Sequence, residues 1–549
     1  LAAACTGGGF SLTTVLHPGI YSVRARAADG LGQTGFSNQA NHHVSGTLYF
    51  AEGLQGANEH PDGRVPLYHS FTSYYQIAND EAATVDFNIF FIDQNGTRIT
   101  VPSSCGPKRR CTLNSAAYYS GFYAAEVQPI CSAAGCPKLY VHRATYFKGH
   151  LDAYTGENFD AFFAEASHDD NAVQLPARVH HFPEGGTTGW PTIYKFYNPT
   201  HETVSVTLRL YSLGVTAGDP QNGQTAFSGT HTFTIGPKRL LRLPLQSTPV
   251  FTQATAAYYK DFATTVESSL PIVAEQTLYQ PTDGVPRLGV GGQSANGAQA
   301  TAVEWYFPNT ENFDMHPRVY AFNPNPVATE VLFFYWHQQG TNLQVRTGTQ
   351  RVRMEPFARV NLDLYYGDPG TIAKSPNGPG DTGFSIKSVI PGTGDPNAAA
   401  PIVVSKNLYW APLAESHGWV EGTQSFGHPT LHRNWILPSV TSSGRNPGAD
   451  NDQAFYHFID IISATGGVTT INVTYYSTAG AVISVAPVTL NGFQRHRFRS
   501  HLLVGVGDFY AKVTATNPIS VESTTMFNWD NNNNYQWRSG ESSHAIPAD

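Results

Sequence analysis

Four stretches of this 549-residue chain repeat one another, and that period constrains the fold more than any other feature. "YFAEG" at 49–53 returns as "HFPEG" at 181–185, "YFPNT" at 306–310 and "ILPSV" at 436–440. Their second residues, Phe50, Phe182, Phe307 and Leu437, are spaced by 132, 125 and 130 residues. A run ending in a polar residue follows in every copy: "YYQIAND", "IYKFYNP", "RVYAFNP" and "FIDIISA". A longer run then closes on Gly96, Gly214, Gly340 or Gly480, which lie 17, 16, 17 and 17 residues after Asn79, Asn198, Asn323 and Ser463. A turn with basic residues and two further apolar runs complete each copy.

The runs read as strands. In "TVSVTLRLY", Val204, Val206, Leu208 and Leu210 fall on one face and Ser205, Thr207 and Arg209 on the other, and no helical spacing persists for three turns. Five or six strands in 125–130 residues predict an all-β chain of tandem antiparallel β-sandwich, immunoglobulin-like modules at 45–172, 173–298, 299–428 and 429–549. Residues 1–44 stand outside the period. Their alternation over 18–38 resembles the closing hairpin of a fibronectin type III or immunoglobulin-like domain, so 1–44 is expected to be the end of such a domain. The start at Leu1, without methionine, reads as a processed or fragmentary product.

Composition agrees with strands and turns: 12% aromatic, 13% charged, 51 Gly and 36 Pro. A net charge of −8 argues against a nucleic-acid partner, which calls for a basic face. No run reaches the ~18 apolar residues of a membrane-spanning helix. Four of five cysteines cluster: Cys105, Cys111, Cys131 and Cys136. Their spacings fit zinc knuckles poorly and two disulfides well, with three pairings open. Disulfides imply an extracellular or cell-surface setting.

The order F-[AP]-E-G, strand, N-P, strand, G, P-x-x-R, P-I-x-V resembles a repeat of large bacterial extracellular proteins, often downstream of fibronectin- or immunoglobulin-like domains. The resemblance spans roughly 45–549 and implies an exported surface protein of tandem sandwiches with no known reaction. "FPNT" and "LPSV" depart from the glutamate–glycine start.

No catalytic constellation emerges, and the chain is expected not to be an enzyme. Glu52 and Glu184 give way to Asn309 and Ser439, and no second acid recurs at a fixed offset, as glycoside hydrolysis requires. The adjacent pairs His42–His43 and His180–His181 point to opposite faces of a strand and read as surface residues. The basic turns (Lys108, Arg109, Arg110; Lys238, Arg239; Arg359; Arg495, Arg497, Arg499) read as edge charges against wrong strand pairing, with acidic glycans or an acidic neighbour as the alternative. No cofactor is expected apart from calcium, for which oxygen-rich loops make Asp450, Asp452 and Asp530 candidates, against ordinary Asx turns. Trp190, Trp410, Trp419 and Trp529 are candidates for stacking on sugar rings, against the core. Asn95 and Asn472 head N-glycosylation sequons. The expected role is structural: a subunit of a surface layer, filament or stalk whose partners are copies of itself. An adhesin or glycan binder, and the accessory region of a secreted hydrolase, are the alternatives.

Overall fold

The computed structural model describes residues 46–56, 68–132, 135–149, 166–185, 192–212, 227–250, 262–279, 292–310, 316–338, 351–364, 382–392, 398–410, 421–442, 452–530 and 537–548, with short strands between 5 and 44. The fold is nearly all β, in antiparallel sheets. The first module runs β1 (Leu48–Gln55), β2 (Tyr68–Asn79), β3 (Val85–Ile92), β4 (Arg98–Cys105), β5 (Arg109–Asn114), β6 (Gly121–Pro129), β7 (Tyr140–Gly149) and β8 (Ala166–Asn171). One layer has the order β4-β3-β6-β1. The other has the order β5-β2-β7-β8. Between them lie Phe50, Tyr75, Ile77, Phe87, Ile89, Phe91, Tyr123 and Val141, the alternate residues of each strand.

The same two layers recur three times with the same pairings. The sixth and seventh positions differ in one respect. In the first and third modules they are separate strands; in the second and fourth, single strands, Ala263–Tyr279 and Gly507–Asp530, pass from one layer to the other. Residues 5–44 contribute short antiparallel pairs, Gly19–Val23 with Ala40–Val44 and Arg26–Ala28 with Thr34–Phe36 among them.

One turn is built alike in every module. Lys108, Lys238, Phe357 and Phe493 hold φ of 54°, 49°, 56° and 62°, a left-handed conformation uncommon outside glycine. Each donates its backbone N–H across the sandwich end, to the carbonyls of Glu81, Thr200, Asn325 and Thr465 at 3.1–3.2 Å. The asparagine of the "N-P" signal supports the same end: Asn79, Asn198 and Asn323 are buried and each donates Nδ2 to two or three turn carbonyls.

Two disulfides resolve the open pairing: Cys105–Cys111 joins β4 to β5, and Cys131–Cys136 closes the loop after β6.

Candidate functional site

The "YFAEG" glutamate sits on a β-bulge. Tyr123 pairs with Gly53, but the next residue pair in register is Ala125 with Phe50, so Ala51 and Glu52 together oppose Ala124. The third and fourth modules slip likewise between Phe307 and Thr310 and between Leu437 and Val440, and in the second Phe182 pairs with Thr264 while the Gly185 carbonyl accepts from the Phe262 N–H, which leaves the same extra residue at 183–184. Gly53 and Gly185 are needed beside the bulge, since a Cβ there would come within 2.0 Å of the Tyr123 ring and 2.2 Å of the Phe262 ring. In the first three modules the bulge aims its polar residue at the next module, and Glu52, Glu184, Asn309 and Ser439 are all buried.

Beside each bulge stands one residue of the seventh position: Arg143, Gln276, Lys406 and Ser523, opposite Tyr75, Tyr194, Val319 and Ile459 in register. Arg143, Gln276 and Lys406 each donate to the bulge carbonyl of their own module, at Glu52, Glu184 and Asn309. Arg143 also pairs with Glu275 of the second module, and Lys406 with Glu522 of the fourth at 2.6 Å. Glu52 in turn pairs with Lys195 and accepts from Thr277 Oγ1 at 3.0 Å, both in the second module. Glu184 accepts from Asn407 Nδ2 and, at 2.8 Å, from the Tyr409 hydroxyl of the third. Asn309 takes Arg497 Nη2 on its Oδ1 at 2.8 Å and donates its backbone N–H to Glu522 at 3.0 Å.

The fourth module reaches the first in the same manner. Arg110 Nη1 donates to the carbonyls of Val440 at 3.0 Å and Phe509 at 3.3 Å and pairs with Asp508 at 3.1 Å. Lys512 pairs with Asp80 at 2.6 Å, and Ala78, Tyr140, Ile436, Tyr510 and Ile546 form an apolar cluster across the same seam. The closing strands β8, Gly292–Asn296, Glu421–Phe426 and Trp537–His544 pack each on the next, the last on the first. The four sandwiches thus form a closed ring.

Burial sets the proton affinities. Desolvation lowers Arg143, but Glu275 and Glu52 outweigh it and its pKa ends above the ordinary value. Lys406 ends below the ordinary value, because desolvation outweighs Glu522 and Arg495 lies nearby. Burial also pushes His180 and His181 down to about 4 and His428, His457 and His544 down to about 3.

Two surface readings from the sequence are corrected. His180 and His181 are buried, His180 against the Ile272 carbonyl and His181 against Thr265, because their strand lies on the second core. Arg110, Arg359 and Arg495 are buried as well, and Arg495 Nε donates to the Pro308 carbonyl of the preceding module at 2.7 Å. No sequence signal marked Arg143, Lys195, Glu275 or Lys406, since their partners lie in other modules.

Asn95 stands exposed in a turn and Asn472 on the exposed face of its strand. Asp452 and Asp530 face each other in backbone register. Asp450, Trp190 and Trp419 lie outside the described residues, while Trp410 and Trp529 lie on strands opposite Glu421 and Gln453. Among the described residues, no group of three or more His, Cys, Asp or Glu is placed to hold a metal ion, and no helix is long and apolar enough to cross a membrane.

No protein-family model and no curated protein matches the chain. Among solved structures, Thermotoga maritima 1070 aligns at 15% identity over 23% of this chain and 96% of its own, with a TM-score of 0.18. A tetra-tandem repeat from the extending region of a large adhesion protein aligns at 11% identity over 86% and 94%, with a TM-score of 0.09. A β-glucuronidase of glycoside hydrolase family 2 aligns at 9% identity over 44% and 23%, with a TM-score of 0.11. Likenesses at these scores carry no functional argument.

Proposed function

We propose that this chain is a non-enzymatic extracellular structural protein, a rigid four-module block that serves as a subunit of a surface layer, filament or stalk. The supporting observation is the set of buried polar clamps that joins each module to the next and the fourth back to the first. Isolated sandwiches on linkers would move independently; a ring clamped at every seam carries load as one body. At the first three seams Glu52, Glu184, Glu275, Glu522, Arg143, Lys195 and Lys406 are closed to solvent and held by structural partners, which suits holding rather than reacting. The two disulfides suit an oxidising, extracellular setting.

Negative-stain microscopy of the concentrated protein tests this reading. An ordered lattice or fibre is the expected result, and dispersed particles at every concentration would overturn it. An adhesive role is the second reading, favoured by the strand directions: in the first module the connections after β1, β3, β5 and β7 all leave from the same end of the sandwich. A glycan array separates the two readings.

A further inference from the structure

Among the described residues, the fourth module exposes apolar side chains on two neighbouring elements. Its edge strand Val482–Leu490 exposes Val482, Ile483 and Val485, at 55%, 45% and 54%. The short helix Ser500–Val504 exposes Leu502 at 70%, and Val506 follows at 71%. The two elements pack together: the Ser500 and Tyr475 hydroxyls are 3.0 Å apart, and Tyr475 pairs with Ser484 of the edge strand. Gly505 and Gly507, at φ of 72° and 144°, flank Val506 and lift it clear of the fold. In the first module the matching helix is Ser115–Ala117, where Ala117 stands at the position of Leu502 and the exposed Tyr118 at that of Leu503.

Charge completes the picture. Between Asp460 and Asp508 the sequence contains no acidic residue, although acids outnumber bases 41 to 33 in the whole chain. Arg499 is exposed at the start of the helix, and Arg109 of the first module abuts the turn at Gly480 that leads into the edge strand. The nearest acid in sequence, Asp508, is paired with Arg110.

We propose that this surface is a peripheral docking site for an anionic lipid bilayer, with Leu502, Leu503, Val506 and Ile483 entering the headgroup–acyl boundary and Arg499 and Arg109 meeting the lipid phosphates. Protruding apolar tips beside cations suit a bilayer, which closes around convex side chains. A second copy of the chain suits it less, because two such faces would bring Arg499 and Arg109 of both copies together with no acid from the span to offset them. Pro487 opposes self-pairing too: it stands in the edge strand, where a proline cannot donate to an added strand.

Flotation of the full chain with vesicles of phosphatidylcholine, with and without 30 mol% phosphatidylglycerol, tests the proposal. Binding is expected to the anionic vesicles and to weaken with salt. Leu502→Ser with Val506→Ser should reduce partition by roughly tenfold or more, and Arg499→Glu by about fivefold. These side chains are exposed, so the variants should keep the parent melting temperature. In a Leu502→Trp variant, blue-shifted emission on anionic vesicles would place the tip in the bilayer. Absence of binding to anionic vesicles by the folded protein would overturn the proposal, as would partition unchanged in the double serine variant. Lipid-free dimerisation that the same variant abolishes would assign the face to a second copy and would overturn it too.

Discussion

The seam between the first and second modules and the seam between the second and third share one geometry and differ in chemistry. At the first, Arg143 meets Glu275. At the second, the same two register positions hold Gln276 and Ser405. At the third they hold Lys406 and Glu522, and at the closing seam Ser523 and His142. At these two positions charge therefore alternates around the ring while the backbone scheme stays constant. The bulge and the donor to its carbonyl belong to the fold; the sign of the side chains is free to vary. Buried ion pairs of this kind contribute little net stability, because desolvation cancels most of the attraction, but they penalise any arrangement that leaves one partner alone.

The comparison breaks most visibly at Arg143. Arg143→Met takes from the buried Glu275 its arginine and from the Glu52 carbonyl its donor, while the Glu52 carboxylate keeps Lys195, and the expected loss is about 3–5 kcal/mol in urea unfolding. Gln276→Leu, the uncharged residue at the matching position of the second seam, should cost only about 1–3 kcal/mol, the penalty of leaving the Glu184 carbonyl without its donor. Equal losses in the two variants would show that charge does not distinguish the seams.

A smaller effect separates modules rather than seams. Replacing Cys131 and Cys136 by serine opens a loop with a sequence separation of 5. Melting should show a loss of at most about 2 kcal/mol on loop-entropy grounds, since the second and fourth modules make the same passage with one continuous strand.

The smallest effect, taken per pH unit, sharpens the contrast by pH. His544 lies beside the Lys406 seam, and its pKa is pushed down to about 3 by burial first and Lys406 second. A histidine depressed in the folded state stays neutral while the unfolded chain takes up a proton, so stability falls as pH drops from about 6.5 towards 3. His544→Leu should remove one such group and flatten that limb by at most about 1.4 kcal/mol per pH unit. An unchanged slope in thermal melts between pH 7 and 4 would dismiss His544 as a contributor.

The fold was legible because its signals are local. Alternation in Val204–Leu210 and glycine at strand ends each lie within one module, the 125–132-residue period shows the same signals in all four, and the structure places Val204, Val206, Leu208 and Leu210 in the second core. The two disulfides were legible as a set, and their pairing waited for the strands that bring Cys105 to Cys111. Glu52 was visible as a recurring position but not as a seam residue, because its partners Lys195 and Thr277 stand in another module. Arg110 misread as surface for the same reason, and His180 because its partner, the Ile272 carbonyl, stands on a strand far along the same module.

What the sequence determined by itself is the module: strand order, core face and turn residues follow from side-chain period and backbone preference, which act over a few residues. Only the tertiary structure decided that the four modules close on one another. That outcome rests on contacts between residues hundreds of positions apart, such as Arg110 with Val440, and no local pattern encodes which strand will face which.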